Sequence, residues 1–132
     1  MPHLQWTEDL TVGLPRIDDQ HKQLIAIANK LIDAIIDNET DGVLADVFTQ
    51  LRAYVDSHFK DEESYMEEIG YPELKDHAAE HAILYLRTLT LKQMLEKRNG
   101  VTPQDVSLFL TDWISSHMMD SDRKIGNFAK SL

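Results

Sequence analysis

The sequence predicts an all-α fold, an up-down-up-down antiparallel four-helix bundle with an extended N-terminal arm and a short C-terminal helical tail. Apolar residues recur at spacings of three and four residues over four stretches, as they do on the buried face of a helix. Short polar turns separate these stretches, and no stretch alternates apolar and polar residues as a strand would. Helices of about 20 residues joined by short connections favour antiparallel neighbours.

The N-terminal arm is predicted over residues 1–17, which contain two prolines and a glycine and show no sustained helical period. We expect Trp6 and Leu10 of this arm to pack against the bundle. Helical periodicity starts next to Asp18 and Asp19. Because a side-chain carboxylate can accept the first backbone N–H groups of a helix, either residue is a candidate N-cap.

The other helix boundaries are predicted from residues that end or start helices. Gly70 is expected to end the second helix, and Pro72 to lie in the first turn of the third. We expect the third helix to end near Asn99. The Thr-Pro-Gln-Asp sequence at residues 102–105 is typical of a fresh start, with a hydroxyl cap, proline next and an acidic third residue.

A single domain is predicted over residues 1–132. We expect its bundle to occupy residues 18–119 and its helical tail residues 120–132. The tail would add one or two turns, with Ile125 and Phe128 facing inward.

Composition limits the classes of function. The formal net charge of −10 argues against nucleic acid or an anionic membrane as a partner. No apolar run approaches the roughly 18 residues that span a bilayer, so we expect no stable membrane insertion. The chain has no cysteine, which excludes disulfides and cysteinyl metal sites and fits a cytoplasmic location. No long apolar stripe stands out beyond the bundle faces, which favours a monomer.

Five of the six histidines fall on the inward faces of the predicted helices. A lone inward histidine is most often a core residue whose ring is satisfied by a hydrogen bond. Five imidazoles at one level need more partners than a small core offers, whereas a metal would satisfy them together. Nitrogen and oxygen ligands inside a helical bundle are typical of a transition-metal site. The five are His21, His58, His77, His81 and His117.

Two carboxylates complete this set. Glu62 follows His58 by one helical turn and therefore shares its face. Asp122 follows His117 by five residues, which is about 140° around a regular helix. For both side chains to face one centre, the fourth helix must either loosen into a π-type turn or end near Met119.

The complete pattern resembles the hemerythrin family, and within it the single-domain bacterial hemerythrins. The likeness extends from Trp6 to Asp122 and includes Gly13, Ile17-Asp18-Asp19-Gln20-His21, Glu62-Glu63, Tyr71-Pro72 and Trp113. The motifs that carry it are His21, His58-x-x-x-Glu62, His77-x-x-x-His81 and His117-x-x-x-x-Asp122.

This resemblance implies a non-haem di-iron centre, in which Glu62, Asp122 and an oxo or hydroxo group bridge two iron ions. One octahedral position then stays open, on the iron that has fewer histidines. The implied ligands are His77, His81 and His117 for one iron, and His21 and His58 for the other.

An open position admits a small ligand. The resemblance therefore implies a protein that binds O2 reversibly rather than an enzyme, for oxygen carriage, storage or delivery to an O2-consuming partner. Apolar residues near the ligands are expected to form the O2 pocket. They are Leu24, Trp113, Ile114 and Met118. Met118 departs from the isoleucine of many relatives, and its flexible, oxidisable thioether bears on how tightly the pocket closes.

Other functions stay open at this point. The same centre could serve O2 or redox sensing, for which this chain would need a separate signalling partner. It could also belong to a di-iron oxidase, peroxidase or nitric oxide reductase, or store metal.

The acidic run of Asp61, Glu63, Glu67 and Glu68 is expected to be a solvated face, with a transient entry route for Fe²⁺ as the alternative. Tyr54, Tyr65 and Tyr85 are expected to lie in the core or at its rim.

Overall fold

The computed structural model describes residues 3–97 and 100–132. All regular structure in this part of the chain is helical, without a strand, and the predicted four-helix bundle is confirmed. Its elements are a short 3-10 turn at Glu8–Leu10, α1 at Pro15–Ile36, α2 at Val43–Ile69, α3 at Leu74–Glu96, α4 at Pro103–Asp112, a π-helical segment at Trp113–Asp122, and α5 at Arg123–Lys130.

The helices pack around one long interior. Helix α1 packs between α2 and α4, while α3 packs against α2 and the π segment. Within residues 3–97 and 100–132, no helix combines the length and the apolar character that crossing a membrane requires.

The first helix starts earlier than predicted. It begins at Pro15, and its N-cap is Leu14, whose backbone is extended, so the expected cap at Asp18 or Asp19 is wrong. Proline suits the first helical position because its ring fixes φ and its missing N–H would be unpaired there anyway. Asp18 instead is buried and accepts hydrogen bonds from the Val12 N–H, at 2.9 Å, and from the hydroxyl group of Thr11.

The N-terminal arm is fastened to the bundle by both polar and apolar contacts. It is not wholly extended, since it contains the 3-10 turn. Leu10 is buried, and Trp6 packs against the main core cluster. The side chain of Asn29 accepts from the Leu4 N–H and donates to the Leu4 carbonyl, each at 2.9 Å.

The connection between α2 and α3 was predicted in part. Gly70 ends α2 with φ +70°, and the Tyr71 N–H donates to the Met66 carbonyl at 2.8 Å. Only glycine adopts this left-handed conformation without strain, and the bond across it closes the helix end. Pro72 lies in the turn before α3, which begins at Leu74, so its expected place in the first helical turn is wrong.

The boundaries after α3 agree with the prediction at the start of α4 and differ from it near Met119. The predicted capping box is confirmed: Thr102 Oγ1 accepts from the Asp105 N–H at 3.2 Å, and Asp105 accepts from the Thr102 N–H at 2.9 Å. Helix α3 reaches Glu96, and the end expected near Asn99 lies outside the described residues. The fourth helix does not end near Met119, because it continues through the π segment into α5.

The apolar interior has two parts. The main cluster is built by all four helices of the bundle. The second cluster lies at the other end, where the arm and α5 meet. Its buried members are Val12, Ile17, Met66, Tyr71 and Ile125.

Candidate metal centre

Seven buried polar side chains fill the layer between the two apolar clusters. None is more than 4% exposed. They fall into two groups that share both carboxylates, and within each group one ligand atom from every residue lies within 4.8 Å of the others. The larger group is His77, His81, His117, Glu62 and Asp122, and the smaller is His21, His58, Glu62 and Asp122.

Helical geometry explains how the side chains meet. His58 and Glu62 lie one turn apart on α2, as do His77 and His81 on α3. His117 and Asp122 lie in the π segment, whose hydrogen bonds join residues five apart. Of the two predicted ways to align this last pair, the structure shows the π-type turn.

Glu62 faces both groups. Its Oε1 lies 2.8 Å from His77 Nε2 and 3.0 Å from His81 Nε2. Its Oε2 lies 3.0 Å from His21 Nε2 and 3.3 Å from His58 Nε2. One carboxylate therefore turns one oxygen to the three-histidine side and the other oxygen to the two-histidine side.

Asp122, in the π segment, also turns one oxygen to each of the two groups. Its Oδ1 lies 2.8 Å from His77 Nε2 and 3.1 Å from His117 Nε2. Its Oδ2 lies 3.0 Å from His21 Nε2. Each carboxylate thus faces both ligand groups. This geometry suits two neighbouring cations that share the two carboxylates.

Hydrogen bonds alone do not satisfy this cluster. His117 Nε2 and Asp122 Oδ1 are fully buried and have no partner with hydrogen-bond geometry among the described residues, although they lie 3.1 Å apart and His77 Nε2 lies 2.8 Å from Asp122 Oδ1. Unpaired buried polar atoms are costly, so a protein that keeps them needs a ligand to satisfy them. Imidazole nitrogens and carboxylate oxygens are a donor set that transition metals accept. The residues present therefore fit a metal centre.

The electrostatics of the protein without metal are dominated by the two carboxylates. Burial acts to lower the pKa of His21 and of His77, but the hydrogen bonds and charges of Asp122 and Glu62 outweigh burial and raise both pKa values to about 10. For His58 burial prevails, and its pKa is lowered. Burial acts to raise the pKa of Glu62, yet hydrogen bonds from the surrounding imidazoles hold it well below its ordinary value.

Three ring nitrogens on the outer side of the cluster have their own acceptors. His58 Nδ1–H donates to Gln20 Oε1 at 2.7 Å. His81 Nδ1–H donates to Glu63 Oε2 at 2.9 Å, and His117 Nδ1–H to a Glu80 carboxylate oxygen at 3.1 Å. A proton held on Nδ1 leaves the Nε2 lone pair free toward the centre of the cluster.

Gln20, Glu63 and Glu80 were not predicted to be part of the site. Each is a chain neighbour of a predicted ligand, and Gln20 and Glu63 also lie in segments that carry the family resemblance. These two sequence signals could have indicated them. The expected solvated face is found at Glu67 and Glu68, whereas Asp61 and Glu63 are half-buried and make contacts that were not predicted. Glu63 binds His81, and Asp61 accepts from Gln20 Nε2 at 2.8 Å and pairs with Arg16 at 3.0 Å.

Aromatic rings cover two of the imidazoles. Phe59 stacks on His81 with ring centroids 4.1 Å apart, and Tyr54 stacks on His58 at 4.7 Å. Both rings belong to the main apolar cluster, which also buries the four residues expected to form a pocket. Those four are Leu24, Trp113, Ile114 and Met118.

Comparison with known proteins decides the family. The sequence profile of the hemerythrin HHE cation binding domain matches residues 12–129. The chain belongs to the hemerythrin family. The resemblance found in the sequence is thereby confirmed.

Individual relatives agree with this assignment. The chain is 32% identical to a bacteriohemerythrin of Methylococcus capsulatus, over 96% of both chains. It is 31% identical to one of Pseudomonas aeruginosa, over 92% of this chain and 78% of the relative. With one of Clostridium acetobutylicum it shares 29% identity, over 90% of this chain and 95% of the relative.

Proposed function

We propose that this hemerythrin binds O2 reversibly at a non-haem di-iron centre and serves oxygen carriage, storage or delivery to an O2-consuming enzyme. The observation that carries the proposal is the pair of ligand groups that share Glu62 and Asp122. Membership of the hemerythrin family and the similarity to proteins named bacteriohemerythrin support iron as the metal.

In this proposal each of the two groups would hold one iron. Glu62 and Asp122 would be shared by both irons, His77, His81 and His117 would serve one of them, and His21 and His58 would serve the other. Two ferrous ions held in this way would supply reversible O2 binding. The two-histidine group has fewer protein donors, so a metal held there would have room for a small ligand.

The surrounding residues serve this function by excluding water. Leu24, Trp113, Ile114 and Met118 are buried and apolar, and we assign them to the wall of the O2 pocket. A dry wall limits the supply of protons that would otherwise promote irreversible oxidation. Met118 brings a flexible thioether to this wall, where a branched side chain would be stiffer.

Metal content and absorption spectra together test the proposal. Purified protein is analysed for iron per chain, and its spectrum is followed through cycles of reduction, exposure to air and deoxygenation. Two irons per chain and a visible charge-transfer band that appears in air and vanishes on deoxygenation are expected. A direct change to a stable ferric form would contradict reversible binding and favour redox sensing or oxidase chemistry. Zinc, or no metal, would overturn the di-iron centre itself.

A pair of histidine variants tests the ligand assignment. His77→Ala removes a donor that faces both carboxylates, so we expect the iron content per chain to fall to less than half. His3→Ala is the matched control, because His3 lies in the exposed arm and contacts Asp33. Iron analysis of both variants, after circular dichroism has verified their helical content, measures the effect. Equal iron in the two variants would show that the assignment is wrong.

A further inference from the structure

The candidate metal centre is buried, so a cation must reach it through an opening in the bundle. Three cavities include one of its histidines in their walls. They measure about 50 Å³ at His77, about 150 Å³ at His117 and about 430 Å³ at His81. These cavities differ in the chemistry of their walls, and that difference indicates which one suits a hydrated cation.

The cavity at His77 is small and acidic. Glu73, the N-cap of α3, lies on the same side of that helix as Asp76 and Glu80, and all three contribute to the cavity wall together with Lys124. Three carboxylates against one ammonium group leave this wall negative. Glu73 and Asp76 are exposed whereas His77 is 3% exposed, so the cavity connects the surface to a ligand of the centre.

The outer nitrogen of His77, Nδ1, has no hydrogen-bond partner among the described residues. Its Nε2 lies 2.8 Å from both Glu62 Oε1 and Asp122 Oδ1. The outer nitrogens of His81 and His117 are already bound to Glu63 and Glu80. Of these three histidines, His77 is the one that lines a surface cavity without a hydrogen-bond partner on its outer nitrogen.

The other two cavities are less acidic and more apolar. At His81, the carboxylates of Asp56 and Glu63 face Lys60, and Phe59 covers the imidazole face. At His117, Glu80 and Asp112 face Arg87, and Ile83 and Trp113 add apolar wall. A cation that still carries its water would lose hydration against such surfaces without compensation.

We propose that the cavity between the start of α3 and the end of the π segment is the route by which a divalent transition-metal cation reaches the centre. Glu73 and Asp76 attract the hydrated ion, and His77 is the first candidate ligand that it meets. Clefts lined by one sign of charge raise the local concentration and on-rate of oppositely charged ligands. The inference rests on the proposed metal centre and adds to it the side from which the centre is loaded.

Uptake kinetics test this route. Protein freed of metal under reducing conditions is mixed anaerobically with Fe²⁺, samples are quenched with a chelator at intervals, and the iron retained by the protein is measured. The test variant is Glu73→Gln/Asp76→Asn. The matched control is Glu67→Gln/Glu68→Gln, which removes the same charge from two exposed residues at the end of α2.

We expect the test variant to load about tenfold more slowly than the parent at low salt, and the control to load like the parent. The final iron content should be equal in all three proteins, because no proposed ligand is changed. The difference in rate should shrink as added salt screens the carboxylates.

Three other results would overturn the proposal. Equal rates for the test variant and the parent would exclude the cavity as the route while leaving the metal centre intact. If both double variants took up iron equally slowly, the net charge of the protein rather than this cavity would determine the rate. A parent protein that retains no iron would overturn the proposed centre, and the route with it.

Discussion

The orientation of single imidazole rings depends on residues that are not ligands. Gln20 accepts the Nδ1–H of His58, and Glu63 accepts that of His81. Two charged acceptors, Glu63 and Glu80, lie on the three-histidine side, while the two-histidine side has the neutral amide of Gln20. Because a carboxylate increases the donor strength of an imidazole more than an amide does, the two groups differ in electron donation as well as in ligand number.

A substitution at Gln20 tests this role. Gln20→Ala leaves the buried Nδ1–H of His58 without its acceptor, and we expect the affinity for metal to fall about 10-fold to 100-fold. Gln23→Ala is the control, since Gln23 lies nearly one turn further along α1 with its side chain exposed. Competition with a chelator of known affinity measures both variants. An unchanged affinity in Gln20→Ala would show that the hydrogen bond does not orient the ring.

The candidate ligands were easier to predict than the residues that hold them. Imidazoles and carboxylates at helical spacings draw attention because burying them is costly, and the family pattern covers each position. Gln20, Glu63 and Glu80 lie beside the ligand face rather than on it, and each reaches its histidine through a long side chain. Periodicity reports the direction of Cβ, and it does not report where a flexible side chain ends.

At the scale of single elements, the π segment shows what spacing can and cannot establish. The five-residue interval between His117 and Asp122 required a departure from regular α geometry. The interval alone did not distinguish a wider helix from one that ends near Met119. Packing beyond the interval decides, because Ile125 is fully buried in the second cluster and continues the helix past Asp122.

At the start of α1, the proline at residue 15 indicated the correct boundary, but the prediction gave more weight to the carboxylate of Asp18. Pro15 is a good first helical residue, yet the apolar period becomes regular only after Ile17. The carboxylate of Asp18 resembled a cap in the sequence, whereas in the structure it binds the arm from inside the first turn. Asp18 was therefore predicted correctly to accept hydrogen bonds. The groups that donate to it, in Thr11 and Val12, were not predicted.

The contact between the arm and α5 depends on Gly126. A Cβ atom at this position would lie 2.2 Å from the Thr11 carbonyl oxygen, which is backbone and cannot swing aside. Gly→Ala within a helix ordinarily stabilises by about 1 kcal/mol. Here we expect the opposite sign, with Gly126→Ala lowering the free energy of unfolding by about 1–3 kcal/mol.

Urea denaturation followed by circular dichroism measures this change. Asn127→Ala is the neighbouring control, since Asn127 is exposed on the same helix and should change stability by no more than about 0.5 kcal/mol. A stabilised Gly126→Ala variant would show that the arm does not press against α5 in solution.

At the scale of the whole molecule, the bundle was predictable because several turns of each helix carry the same apolar pattern. Each helix repeats its apolar period over several turns, so a boundary that is wrong by a few residues leaves the architecture unchanged. The short connections then leave adjacent helices antiparallel. The arm and α5 were less predictable, because their packing is a contact between residues distant in sequence.

Stability as a function of pH should reveal the charge balance of the buried layer. In metal-free protein the pKa values of His21 and His77 are about 10, above the ordinary value of 6.5. Their contribution to stability is therefore complete below about pH 6.5 and is lost as the pH rises toward 10. We expect the urea midpoint of metal-free protein to fall across this range.

The metal-loaded protein is the control for that measurement. Imidazoles that donate Nε2 to a metal have no proton there to lose, so its midpoint should fall less. Titration of surface groups affects both forms alike and cancels in the difference between them. A metal-free midpoint that stays parallel to the loaded one between pH 6.5 and 10 would contradict the raised pKa values.

The polar layer between the two apolar clusters also fixes the axial register of the helices. Apolar side chains accept many neighbours, so a uniformly apolar bundle tolerates helices that slide past one another. Moving one helix by a turn, about 5.4 Å, would carry its imidazole into an apolar cluster, where it has no partner. The seven side chains that converge on one level thus select a single alignment of four helices, and the interior on either side needs only to fill the space around them.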